Sequence, residues 1–150
     1  MPDPIRGKMV LKNRLEEVNR CEQVILEAVE AMKYSGADRF AVKLALEEAL
    51  ANAIKHGNDQ DAAKHVQVEY AVDGDQVSIV IGDEGSGFDP ESVPDPTLDE
   101  NLEKPYGRGV MLMKTYMSEV EFNEAGNKVT LIKRRSPAKD LDRGSQVGPQ

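Results

Sequence analysis

The chain has 150 residues, a formal net charge of −8 and 39% hydrophobic residues, which suits one domain around one core. That charge argues against a nucleic-acid binder, which needs a basic face to displace counterions, and disfavours an anionic membrane surface. A single cysteine excludes an internal disulfide, and 5% aromatic content with no tryptophan offers no stacking platform for bases.

The start, MPDPIRGK, has no apolar leader segment, and no stretch is long enough to span a bilayer, so a cytoplasmic protein is expected. Met9 to Leu11 predict a short first strand. From Arg14 to Tyr34, Leu15, Val18, Ile25, Val29 and Met32 recur at helical steps, and Gly36 is the expected stop. Cys21 lies beside this stripe with no His or Cys nearby, so it reads as a core residue rather than a reactive thiol. Asp38 is the expected cap of a second helix running to His56, with Gly57 as its end. On a helical wheel, Val42, Leu46, Ala49, Leu50, Ala53 and Ile54 share one arc. Glu48, Asn52, Lys55 and His56 occupy the other, together with the small Ala41 and Ala45.

Val66, Val68, Tyr70 and Val72 alternate, as do Val77, Ile79 and Ile81, and Asp73-Gly74 between them signals a hairpin. The second of these strands runs straight into Asp83. From Phe88 to Tyr106 the chain is acidic and carries Pro90, Pro94, Pro96 and Pro105, a pattern that predicts a long loop. Val110 to Met117 reads as a helix. Val120 with Phe122, and Val129 with Leu131, predict a last hairpin turning at Ala125-Gly126-Asn127. Beyond Arg135 the composition has nothing to bury, so residues 1–135 are read as the domain and 136–150 as a disordered tail.

Glu48 and Asn52, four residues apart, meet on one helix face. An amide oxygen suits Mg²⁺, and a neighbouring carboxylate can take a proton from an attacking hydroxyl; equally, this is an ordinary polar helix face. Glu47 points about 100° away from Glu48. Lys55, one turn past Asn52, can meet a phosphate as a point charge. Asp83 at a strand end can accept from an exocyclic amine, and Gly85 and Gly87 allow a close backbone approach to a flat ring. Gly107, Arg108 and Gly109 open a helix whose free N–H groups can bind phosphates. Thr130 either reaches a base through its hydroxyl or is a β-branched residue favouring a strand. No Walker A or Rossmann fingerprint occurs.

Three segments, in this order, resemble the N, G1 and G2 boxes of the GHKL (Bergerat-fold) ATPases: EALANAIKHG from Glu48 to Gly57, DEGSGFD from Asp83 to Asp89, and GRGVMLM from Gly107 to Met113. The long loop between the last two resembles the ATP lid. The chain most resembles the free-standing serine-protein kinase/anti-sigma factor branch, over roughly residues 7 to 135. The resemblance implies an α/β two-layer sandwich, with helices on one face of a mixed, mostly antiparallel sheet. It implies ATP and Mg²⁺ held between the second helix and the lid. By the same resemblance Glu48 is the catalytic base, Asn52 the Mg²⁺ ligand and Asp83 the adenine-amine acceptor. Gly85 and Gly87 are the G1 glycines, Gly107 and Gly109 the lid-hinge glycines, and Thr130 the late threonine near adenine. The implied partners are an anti-anti-sigma (STAS-domain) protein phosphorylated on serine and a sigma factor that is silenced, with the kinase often a homodimer. The alternative is a non-catalytic, ATP-dependent module that sequesters a sigma factor or another regulator.

Overall fold

The structure, a computed structural model, describes residues 3–57, 63–84 and 105–137, with the backbone alone at 56, 57 and 105–108. Its elements are β1 (Ile5–Lys12), α1 (Glu16–Ala31), α2 (Gly36–Asn52) with a π-helical turn at Ala53–Gly57, β2 (His65–Val72), β3 (Gln76–Gly82), α3 (Pro105–Tyr116), β4 (Glu119–Phe122) and β5 (Lys128–Arg134). The predicted lid, with Gly85 and Gly87, lies outside the described residues except for its last two positions, which begin α3.

The strands form one sheet in the order β1-β2-β3-β5-β4, and every pairing among the described residues is antiparallel. Strand alternation sends Leu11, Val66, Val68, Val72, Val77, Ile79, Ile81, Val129 and Leu131 to one face, where they are buried. The helices cover that face, adding Ile25, Val29, Val42, Leu46, Leu50 and Met113 to the same core. Full burial of a Leu or Ile is worth about 1.5–3 kcal/mol, so this single layer carries most of the stability. The other face presents Arg6, Lys8, Glu69 and Ser78. This is the expected two-layer α/β sandwich. No helix among the described residues is long and apolar enough to cross a membrane.

Several boundaries differ from the sequence expectation. β1 extends back to Ile5 because it pairs with β2 along its whole length, Ile5 opposite Val72 and Lys12 opposite His65. α1 stops at Ala31 rather than near Tyr34: Lys33 takes the left-handed conformation at φ 63°, and its N–H bonds the Glu30 carbonyl at 2.9 Å. Gly36 therefore opens α2 instead of closing α1. Ser35, not Asp38, is the cap of α2, its Oγ accepting from the Asp38 N–H at 3.0 Å. Asp38 is buried instead, with its carboxylate accepting from the Ser136 N–H at 2.9 Å and from the Ser136 hydroxyl. The described residues thus continue past Arg135 to 137, with Ser136 bound to Asp38. The hairpin turn behaves as read: Asp73 Oδ1 accepts from the N–H groups of Asp75 and Gln76 at 2.7 and 2.8 Å.

Candidate functional site

The second and third helices pack against each other, and their contact places the site. Phe40 near the start of α2 meets Tyr116 at the end of α3, ring centroids 5.9 Å apart and edge to face. Gly109 near the start of α3 meets the end of α2. The two helices therefore run antiparallel, and the small Ala41, Ala45 and Ala49, all buried, lie along this side of α2.

At Gly109 the fit is close. A Cβ built there would stand 3.1 Å from Glu48 Oε1, 3.2 Å from Asn52 Nδ2 and 3.4 Å from Asn52 Oδ1. The predicted carboxylate and amide thus converge on one point, and the residue facing them is glycine. Both side chains are half-buried, and neither has a hydrogen-bond or ion-pair partner among the described residues. An unengaged carboxylate beside an unengaged amide is a donor set that suits a hard cation and a transferable proton. The helix opens with Pro105, whose missing N–H belongs to a position that has no intrahelical partner anyway. The N–H groups of Tyr106, Gly107 and Arg108 fall in the first turn, where the helix leaves them free for an anion. Gly109 lies one residue further in; what it supplies is the absence of a side chain.

Beside this point a crevice is lined by Ala49, Asn52 and Ala53 of the second helix and its π-turn, Ile81 and Asp83, Met113, and Phe122 with Asn127 and Lys128. Asp83, half-buried, directly follows β3, and its N–H bonds the Asn127 carbonyl at 2.9 Å. The next residue, Glu84, points elsewhere: its carboxylate accepts from the His65 N–H at 2.8 Å. One acid therefore stays at the crevice and the other is pinned to β2. The free space is about 20 Å³, room for roughly one water molecule. In this conformation the crevice does not admit a purine ring, so binding one requires its lining to move.

Not every predicted residue joins this group. Lys55 is exposed and lines no part of the crevice. The backbone after Asn52 widens into a π-turn, which rotates Lys55 away from the position that a regular helix would give it. Thr130 is corrected outright. It pairs with Val80 and Glu121, and its neighbours Val129 and Leu131 point into the core, so its hydroxyl lies on the opposite face of the sheet. Asn127, just before β5, and the inward-facing Val129 line the crevice instead. Cys21 is fully buried, and burial pushes its thiol up to about 12, which removes it from chemistry.

The histidine kinase-like ATPase domain model matches residues 11–133. The serine-protein kinase RsbW of Bacillus licheniformis is 34% identical over 112 residues, covering 68% of this chain and 68% of that protein. The anti-sigma F factor of Clostridium perfringens is 36% identical over 94 residues, covering 61% of this chain and 66% of that protein. The chain thus spans about two thirds of the length of the curated relatives it matches. The crystal structure of the RsbU and RsbW domains of a Mycobacterium tuberculosis protein superposes with a TM-score of 0.61 at 15% identity. It covers 89% of this chain and 33% of that one, a likeness of fold.

Proposed function

The chain belongs to the histidine kinase-like ATPase domain family, and from that premise we propose that it is an ATP-dependent protein-serine kinase and anti-sigma regulator. It transfers a phosphoryl group from ATP to a serine of an anti-anti-sigma, STAS-domain partner, and it sequesters a sigma factor, in the cytoplasm and as a homodimer. Similarity to proteins named as serine-protein kinases and anti-sigma factors supports the class of reaction and of partner. The observation that carries the chemistry is the convergence of Glu48 and Asn52 on the bare backbone of Gly109, beside a crevice that ends at Asp83.

In this reading Asp83 receives the exocyclic amine of adenine, while Gly85 and Gly87 let the backbone lie against the ring. Ala49, Ala53, Ile81, Met113 and Val129 give that ring an apolar seat. The free N–H groups at the head of α3, with Gly107 and Arg108, face the phosphates. Asn52 is the side chain that would hold Mg²⁺, and the metal supplies charge neutralisation on the phosphate oxygens. Glu48 orients the acceptor serine and takes its hydroxyl proton as the serine Oγ–phosphorus bond forms and the bond to ADP breaks. The chain's contribution is positioning and electrostatics, as phosphoryl transfer requires.

The test is incubation with labelled ATP and a candidate STAS partner. Glu48→Ala is expected to lower phosphoryl transfer by about 10²–10⁴-fold, with ATP affinity, read by calorimetry, nearly unchanged. Asn52→Ala is expected to weaken Mg²⁺-dependent nucleotide binding instead. Wild-type protein that binds ATP but labels no partner is a binding module, and a melting temperature indifferent to nucleotide rejects the ATP site itself.

A further inference from the structure

Glu22 is a buried acid that this chemistry leaves unused. It stands on α1 with 6% of its surface exposed, and its Oε2 has no hydrogen-bond partner. An ionised carboxylate in that position is strongly disfavoured. Across the contact with α2 stands Glu47, within side-chain hydrogen-bonding reach of Glu22. One turn back, Lys43 Nζ lies 3.3 Å from Glu47 Oε2. Glu47 is the neighbour of Glu48 in the chain but is turned about 100° from it around the helix, toward Glu22 of α1.

Two facing carboxylates repel when both are ionised, whereas one proton between them makes a strong O–H···O⁻ bond. Lys43 then balances the single remaining charge. We propose that Glu22 and Glu47 share one proton across the α1–α2 contact, and that losing it loosens α1 from the helix that carries Glu48 and Asn52. Glu47 and Lys43 are the charged groups that act on Glu22; Arg39 of α2 and Glu27 of α1 border the same groove. β1 brings Lys12 to Glu17 in the first turn of α1, but no charged group of β1 or β2 among the described residues acts on Glu22. Burial, then the hydrogen bond and charge of Glu47, push the Glu22 carboxyl from 4.5 up to about 7, against an opposing pull from Lys43. A carboxyl raised in this way stabilises the folded state most below its unfolded value. That stabilisation is lost as pH rises from 4.5 through about 7. The helix pair is therefore tightest in mild acid and loosens across neutrality.

Carboxyl-carbon NMR on the full chain reads the proton directly. The Glu22 resonance is expected to titrate near pH 7, and to fall by about one unit or more in Glu47→Gln, whose amide donates to the ionised form. A wild-type midpoint below about 5.5 overturns the proposal. The loosening is read by amide hydrogen exchange along α1, corrected for intrinsic rates. Between about pH 6 and pH 8, protection is expected to fall roughly tenfold in wild type and less than about twofold in Glu22→Gln. An equal fall in both removes the coupling. Should Glu22→Gln fail to fold, Glu47→Gln carries the same comparison. These readouts need no nucleotide, so they stand apart from the proposed kinase chemistry.

Discussion

The two ends of α2 are built on opposite plans. At its start, Ser35 caps the helix, and the buried Asp38 carboxylate takes two hydrogen bonds from Ser136 with Lys133 3.7 Å away. Arg135 completes this corner by stacking 4.0 Å over the Tyr34 ring and donating to the carbonyls of Met32, Lys33 and Gly74. At the other end, Glu48 and Asn52 stand half-buried with no partner among the described residues, and the helix dissolves into a π-turn. A polar group that is buried and fully paired holds the fold; one that is held in place but unpaired is available for a ligand. The same helix does both because its two ends are about 17 residues, or some 25 Å, apart.

Substitutions at the two ends separate stability from binding. The largest expected effect is that of Asp38→Ala. It strands Lys133 and removes two acceptors, and is expected to cost about 2–4 kcal/mol in urea denaturation with nucleotide affinity per folded molecule unchanged. Loss of affinity there would erase the distinction between the ends. Gly109→Ala is expected to do the reverse. Its methyl would press on Glu48 and Asn52, lowering Mg-ATP affinity by about tenfold, or 1.4 kcal/mol. The melting temperature should hold or rise, since Ala favours a helix by about 1 kcal/mol over Gly. Ser35→Ala is expected to cost about 1 kcal/mol of stability through the lost cap, again without touching affinity. Thr130→Val, on the far face of the sheet, should change stability by under about 0.5 kcal/mol and leave nucleotide binding as it was. A binding defect in that variant would restore the threonine to the crevice.

The sequence made the helices, the β2–β3 hairpin and the Glu48/Asn52 pair readable because each rests on local periodicity or a local turn. Thr130 was misplaced although the correction was already legible: if Val129 and Leu131 point inward, the residue between them points out. Asn127 escaped notice because its place follows from register, Gly82 opposite Lys128, which brings Asp83 beside Asn127. That pairing joins distant segments and leaves no trace in either one alone. The Ser35–Asp38 reversal has a similar cause. Both residues cap helices well, and a partner almost a hundred positions away decided between them. The Glu22–Glu47 contact, between two helices that read as separate amphipathic units, had no local signature at all.

Arg135 grips the carbonyls of Met32 and Lys33 from 103 and 102 positions downstream. On a translating ribosome, therefore, both helices and the first hairpin emerge and collapse well before this clasp exists. The corner joining α1 to α2 is fastened only after the last strand has left the exit tunnel, and a nascent chain stalled before Arg135 carries the nucleotide crevice's components on a frame not yet closed.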